Sequence, residues 1–167
     1  MNKTVLCMNW GNLYSSDYVH VLYNAAKRNI TGDFRFICLT DKNDGININV
    51  ETYPIPDIGL EPDHWHHGAW PKISIFKENL YDLTGHALFI DLDTFIMGSI
   101  DEFFNFAPNA ISVIDVGPWG KDTPAHERVV GTGIFCFEIG KYSHFVSNLQ
   151  NNLNTLVNQH ELEQVYV

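Results

Sequence analysis

The sequence predicts an α/β domain with a mostly parallel central sheet flanked by helices. Three observations predict it. Strand-like apolar runs alternate with amphipathic segments along the chain, which is the pattern of βαβ units. One run, residues 87–90, is apolar without a break, as expected of a strand covered on both faces of a parallel sheet. The chain has 167 residues, 45% hydrophobic and 18% charged. That is enough apolar material for one core and too much for a disordered chain.

Each element has its own signal. Residues 4–8 form a short apolar strand. Ser15 and Ser16 can cap a helix whose apolar positions Val19, Leu22, Tyr23 and Ala26 share one face. Residues 34–39 form a second strand, closed by Thr40-Asp41, and Asp44-Gly45 marks a turn. Residues 46–58 read as a short strand and a Pro-containing loop. Pro71 suits the first position of a helix, with Ile73, Phe76 and Leu80 following on one face. On such a helix Lys72 is expected at the surface, away from the core. Residues 111–114 and 134–139 are two further strands. Tyr142, Phe145, Leu149, Leu153 and Leu156 mark a long amphipathic helix.

Ten basic and twenty acidic residues give a formal charge of −10. That sign argues against binding to nucleic acid or anionic membrane. It leaves room for a local phosphate pocket that carries a divalent metal. No apolar run approaches the roughly 18 residues of a membrane span, so no transmembrane segment is expected. Residues 1–10 lack the pattern of a secretory signal. The three cysteines, Cys7, Cys38 and Cys136, sit in strand-like runs without close spacing. They read as buried thiols in a reducing, cytoplasmic setting.

The strongest chemical signal is Phe89-Ile90-Asp91-Leu92-Asp93-Thr94-Phe95-Ile96. A buried strand ends in two carboxylates, and residues i and i+2 of an extended chain point the same way. Two such charges repel unless a cation or a shared proton offsets them. Oxygen ligands of this kind suit Mg²⁺ or Mn²⁺, with phosphate and water completing the shell. In the plainer reading Asp91 ends the strand and Asp93 is a solvated turn residue. Haloacid-dehalogenase-like phosphatases also use Asp-x-Asp, but after their first strand and with Thr or Val where Phe95 stands here.

A second family matches over most of the chain. The run from Trp70 to Phe76 and the run from His86 through Asp91-Leu92-Asp93 to Ile100-Asp101-Glu102-Phe103-Phe104 resemble the glycogenin-like (family eight-like) branch of the GT-A glycosyltransferases. The opening strand, the Tyr14/Tyr18 segment and Leu39-Thr40-Asp41 are also similar to the family's nucleotide-binding half. The resemblance implies a Rossmann-like GT-A fold, short at its C-terminal end. It implies a single domain, with a nucleotide-binding half over about 1–104 and an acceptor-side half over about 105–167.

It also implies roles. Asp91 and Asp93 would hold Mn²⁺ or Mg²⁺ on the diphosphate of a nucleotide-sugar, a UDP-sugar foremost, with Asp91 also near the ribose or sugar. Lys72 would contact the donor. Met8, Asn9 and Trp10 would line the nucleotide pocket, Tyr14 or Tyr18 would stack on the base, and Asp41 would sit at the rim. Asp115 and Gly131-Thr132-Gly133 would face the acceptor, a glycan, lipid or protein. A metal and a Lys beside the leaving diphosphate would stabilise its growing charge.

Three features stand outside that scheme. His64-Trp65-His66-His67 reads as an exposed loop and, functionally, as a lid; zinc is disfavoured for want of further ligands at the right spacing. Glu163-Gln164 stands where the family has Asp-Gln. No His follows His160, so the third metal ligand is water or His160, or lies in a continuation beyond Val167. A nucleotide-sugar-binding module without turnover and an Asp-pair phosphotransferase are the alternatives to a transferase.

Overall fold

The computed structural model describes residues 2–115, 130–160 and 163–166. Its sheet has six strands: β1 (Lys3–Asn9), β2 (Phe34–Thr40), β3 (Glu51–Tyr53), β4 (His86–Ile90), β5 (Ser112–Asp115) and β6 (Val130–Glu138). They lie in the order β3-β2-β1-β4-β6-β5. β1 runs parallel to β2 and to β4, and β2 parallel to β3. β4 is antiparallel to β6, with Ile90 opposite Ile134. The unbroken apolar run at 87–90 thus reflects burial on both faces, and not parallel neighbours on both edges. Gly131-Thr132-Gly133 lies inside β6, whereas the sequence suggests that it precedes the strand.

The chain leaves β1 toward β2 on one side and later returns to place β4 on the other. This reversal puts the switch point at the carboxyl ends of β1 and β4, the place where open α/β sheets take their ligands. Asn9 closes β1 and Asp91 follows β4.

By internal contacts the chain falls into two units. The first holds Met1–Ile55, Leu83–Ser112 and Gly133–Glu138. Its core joins Val5, Cys7, Phe36, Cys38, Leu88 and Ile90 of the strands to Val19, Leu22 and Ala26. Those last three sit on helix α1 (Ser16–Asn29), so the apolar stripe read from the sequence faces the core. Ser15 occupies the N-cap position without a side-chain bond to the helix backbone. All three cysteines are free and buried. Burial pushes the Cys136 thiol up to about 12.

After β4, helix α2 (Asp101–Phe106) buries Phe104. Its first residue is tied back to β1, because Lys3 Nζ lies 2.7 Å from Asp101 Oδ1. The Thr31 N–H donates to the same carboxylate at 3.2 Å. The Lys3 hydrogen bond lowers the Asp101 carboxyl to about 2.

The second unit comprises Pro56–Asp82 and the described parts of Val113–Thr132 and Ile139–Val167. Trp70–Phe76 is a 3₁₀ helix, not the α-helix to Leu80 that Pro71 suggests. Ala69 before it has a left-handed φ of 55°. All seven of its residues are buried. Three residues per turn spread side chains around the axis, so no face is left for solvent. Helix α3 (His144–Gln159) and the single turn α4 (Glu163–Tyr166) complete the unit. Phe145 of α3 packs 5.2 Å from the ring of Phe76, and Tyr166 of α4 lies 5.9 Å from Trp70. α3 breaks its helical geometry at Asn152, whose Nδ2 donates to the Asn148 carbonyl at 3.1 Å. Such back-bonding competes with the helix ladder.

Candidate functional site

A cleft of about 290 Å³ opens at the carboxyl ends of β1 and β2. Asn9, Gly11, Asn12, Tyr14, Ser15, Thr40, Asp41 and Lys42 are among its walls. Gly11 turns the chain at a φ of 68°, and its N–H donates to Asp41 Oδ2 at 3.1 Å. Lys42 Nζ donates to Asn12 Oδ1 at 2.7 Å and to the Gly11 carbonyl at 3.3 Å. The β2 end therefore clamps the β1 loop. Asn9 Oδ1 is buried and has no hydrogen-bond partner among the described residues. It is an acceptor left for a ligand or water to satisfy.

Of the expected nucleotide-binding residues, Asn9, Tyr14 and Asp41 line this cleft, and Met8, Trp10 and Tyr18 do not. Met8 is buried in the core. The Tyr18 ring instead packs 4.8 Å from that of Tyr14. A larger cleft of about 540 Å³ lies at the amino ends of the same strands, beside Lys3 and Arg35. Both cations there are already paired, with Asp101 and Glu51.

The carboxylate pair belongs to the same unit. The Asp91 N–H donates to the Gly133 carbonyl at 2.8 Å, which extends the β4–β6 ladder one residue past Ile90. The Thr94 N–H then donates to the Asp91 carbonyl at 3.1 Å. Asp93 thus sits in a turn, and the extended strand suggested by the i, i+2 argument ends at Asp91. Leu92 between them is buried, while Asp93 is exposed. A Cβ on Gly133 would lie 3.5 Å from Asp91 Oδ2, so the glycine leaves room beside this carboxylate. The Tyr14 hydroxyl donates to Asp93 Oδ2 at 3.1 Å. Burial, this hydrogen bond and the charges of Asp93 and Asp91 hold the Tyr14 phenol above its ordinary range. Both carboxylates therefore act on one hydroxyl, which stays protonated and able to donate.

Two hard oxygen donors with room beside one of them fit a Mg²⁺ or Mn²⁺ ion whose shell is completed by phosphate and water. Among the described residues no three His, Cys, Asp or Glu side chains gather to hold a metal.

Lys72 differs most from expectation. It lies in the second unit and is 6% exposed, not solvated. Its Nζ is 3.1 Å from Glu163 Oε1 and donates to the Thr132 carbonyl at 3.2 Å. Thr132 Oγ1 donates to Glu163 Oε1 at 2.7 Å. Glu163 and Thr132 are also buried. The Glu163 N–H is bonded to the Gly68 carbonyl at 2.9 Å. The Gly-Thr-Gly run was legible as a special segment; the pairing of Glu163 with Lys72 had no local signal.

Asp115 ends β5 exposed, and its neighbours through Trp119 lie outside the described residues. The Gln164 side chain lies outside what the structure describes. His64 sits in a 3₁₀ turn, Pro62–Trp65, where its Nδ1 accepts the Glu61 N–H at 3.1 Å. His66 and His67 are exposed. No helix among the described residues is long and apolar enough to cross a membrane.

The six-strand sheet and its flanking helices match the GT-A Rossmann-like fold. No protein-family model matches the chain, and no curated protein matches it in sequence. Among solved structures it is similar to the galactosyltransferase LgtC in complex with donor and acceptor sugar analogs. The TM-score is 0.61 at 10% identity, over 98% of this chain and 69% of that one.

Proposed function

We propose that the chain is a metal-dependent glycosyltransferase that moves a sugar from a nucleotide-diphosphate donor, a UDP-sugar foremost, to a glycan, lipid or protein acceptor. The observation that carries this reading is the position of Asp91 and Asp93. They follow β4 at the point where strand order reverses, in the same unit as a cleft with an unsatisfied acceptor on Asn9. The similarity to a galactosyltransferase solved with donor and acceptor analogs supports it. The narrower glycogenin-like assignment rests on the sequence resemblance around Trp70–Phe76 and Asp91–Phe104.

In this reading Asn9, Tyr14 and Asp41 hold the nucleoside, and Asp91 and Asp93 hold Mn²⁺ or Mg²⁺. When bound, the metal neutralises the diphosphate leaving group. Asp115 remains an acceptor-side candidate. Lys72 remains the donor-side cation by resemblance, and its burial against Glu163 favours a second reading. If the ammonium stays locked there, the chain binds nucleotide-sugar without transferring it.

Incubation with a panel of nucleotide-sugars and Mn²⁺ separates the two. We expect sugar transfer, or slow donor hydrolysis, that chelator abolishes. Metal-dependent donor binding with no product would favour the second reading, and absence of both binding and turnover would sink the two together.

A further inference from the structure

Asp93 lies beyond the β4–β6 ladder, in an exposed turn. An exposed aspartate on a turn is free to change rotamer, so its carboxylate is poorly prepared to meet a cation. Here one oxygen is restrained. Among the described residues the single side-chain hydrogen bond to Asp93 comes from the Tyr14 hydroxyl, at 3.1 Å. Tyr14 is itself restrained, because it is partly buried, packs 4.8 Å from the Tyr18 ring and forms part of the cleft wall.

A neutral hydroxyl suits this task. It donates to one carboxylate oxygen without cancelling the charge that attracts a cation, and the second oxygen is left to coordinate. Partners of this kind orient metal-binding carboxylates, and their loss typically costs about 10–100-fold in metal affinity. The sequence pointed to the face of this ring as a base-stacking surface; its hydroxyl has a separate use.

We propose that Tyr14 is a positioning residue for the metal-binding carboxylate Asp93, an inference that rests on the metal-dependent reading above. The test is direct titration of Mn²⁺ into the wild-type chain, Tyr14→Phe and Asp93→Asn, with free Mn²⁺ followed by its electron paramagnetic resonance signal. Thermal melting is measured in parallel. We expect Tyr14→Phe to bind Mn²⁺ about tenfold more weakly with an unchanged melting temperature, since the ring and its packing remain. Equal Mn²⁺ affinity in wild type and Tyr14→Phe, with a loss in Asp93→Asn, would overturn the role of Tyr14 and leave the metal site standing. A wild-type chain that binds no Mn²⁺, or an Asp93→Asn variant that binds it undiminished, would overturn both.

Discussion

In the first unit Asp93 is exposed and takes its hydrogen bond from a neutral hydroxyl, that of Tyr14. In the second, Glu163 is buried against an ammonium, that of Lys72, with Thr132 Oγ1 as a further donor. The two carboxylates carry the same charge and are stabilised differently. Glu163 finds its counter-charge inside the chain, so it works for the fold. Asp93 accepts a hydrogen bond without being neutralised, as the proposed metal-binding role requires. If Asp93 binds metal as proposed, a partner's charge, more than the acid itself, separates structural from binding carboxylates here.

The comparison is broken most severely by removing the counter-charge. Glu163→Ala would leave the Lys72 ammonium buried beside the Thr132 carbonyl. We expect a loss of about 3–5 kcal/mol of unfolding free energy, measured by urea denaturation. Lys72→Ala should be destabilising too, contrary to the surface placement that Pro71 suggests. Losses well under 1 kcal/mol in both would mean that the pair is solvated in solution.

Asp93→Asn should act the other way. Loss of one anionic ligand should weaken Mn²⁺ binding by about 10–100-fold. Unfolding free energy should stay within about 0.5 kcal/mol of wild type, as for an ordinary surface change. A large stability loss would place Asp93 with Glu163.

A third carboxylate tests the intermediate case. Asp101 is paired with Lys3, and both side chains are 18% exposed. Its folded pKa, lowered to about 2, lies below the unfolded value. Its stabilisation is therefore complete above the ordinary carboxylate range and is lost as pH falls through about 2. We expect about 1 kcal/mol from this half-screened pair. Asp101→Asn should flatten that part of the stability–pH curve, and a curve identical to wild type would deny the pair any contribution.

The smallest effect is expected at Gly133→Ala. The added methyl would meet Asp91 Oδ2 at 3.5 Å, an ordinary contact. Stability should rise by up to about 1 kcal/mol through the unfolded chain, while Mn²⁺ affinity falls a few-fold as the space beside Asp91 closes. Unchanged Mn²⁺ affinity would show that this space is not used.

The first unit was largely legible because its information is local. Continuous apolar runs gave β1, β2 and β4, and a 3.6-residue stripe gave α1. The carboxylate pair was legible as a break in such a run. The antiparallel direction of β6 was not, since strand polarity leaves no mark on an apolar pattern. In the second unit the decisive contacts are long-range. Nothing near Lys72 announces Glu163, and a seven-residue 3₁₀ helix with every side chain buried has no polar face to reveal its period. Tyr14 falls between these cases. Its aromatic ring suggested stacking, but its hydroxyl partner lies 79 residues away in sequence.

The buried ion pair also acts as an address. α4 is four residues long, too short for an apolar stripe to decide how it should lie. Tyr166 supplies attraction, through the Trp70 and Phe145 rings and a 2.6 Å hydrogen bond to the Phe145 carbonyl, but rings tolerate sliding. Charge does not. A buried carboxylate against a buried ammonium holds only where the two meet closely. The observed register satisfies Lys72, Thr132 and the Gly68 carbonyl together. A segment with little packing energy of its own is held in its seat by one residue that three partners share.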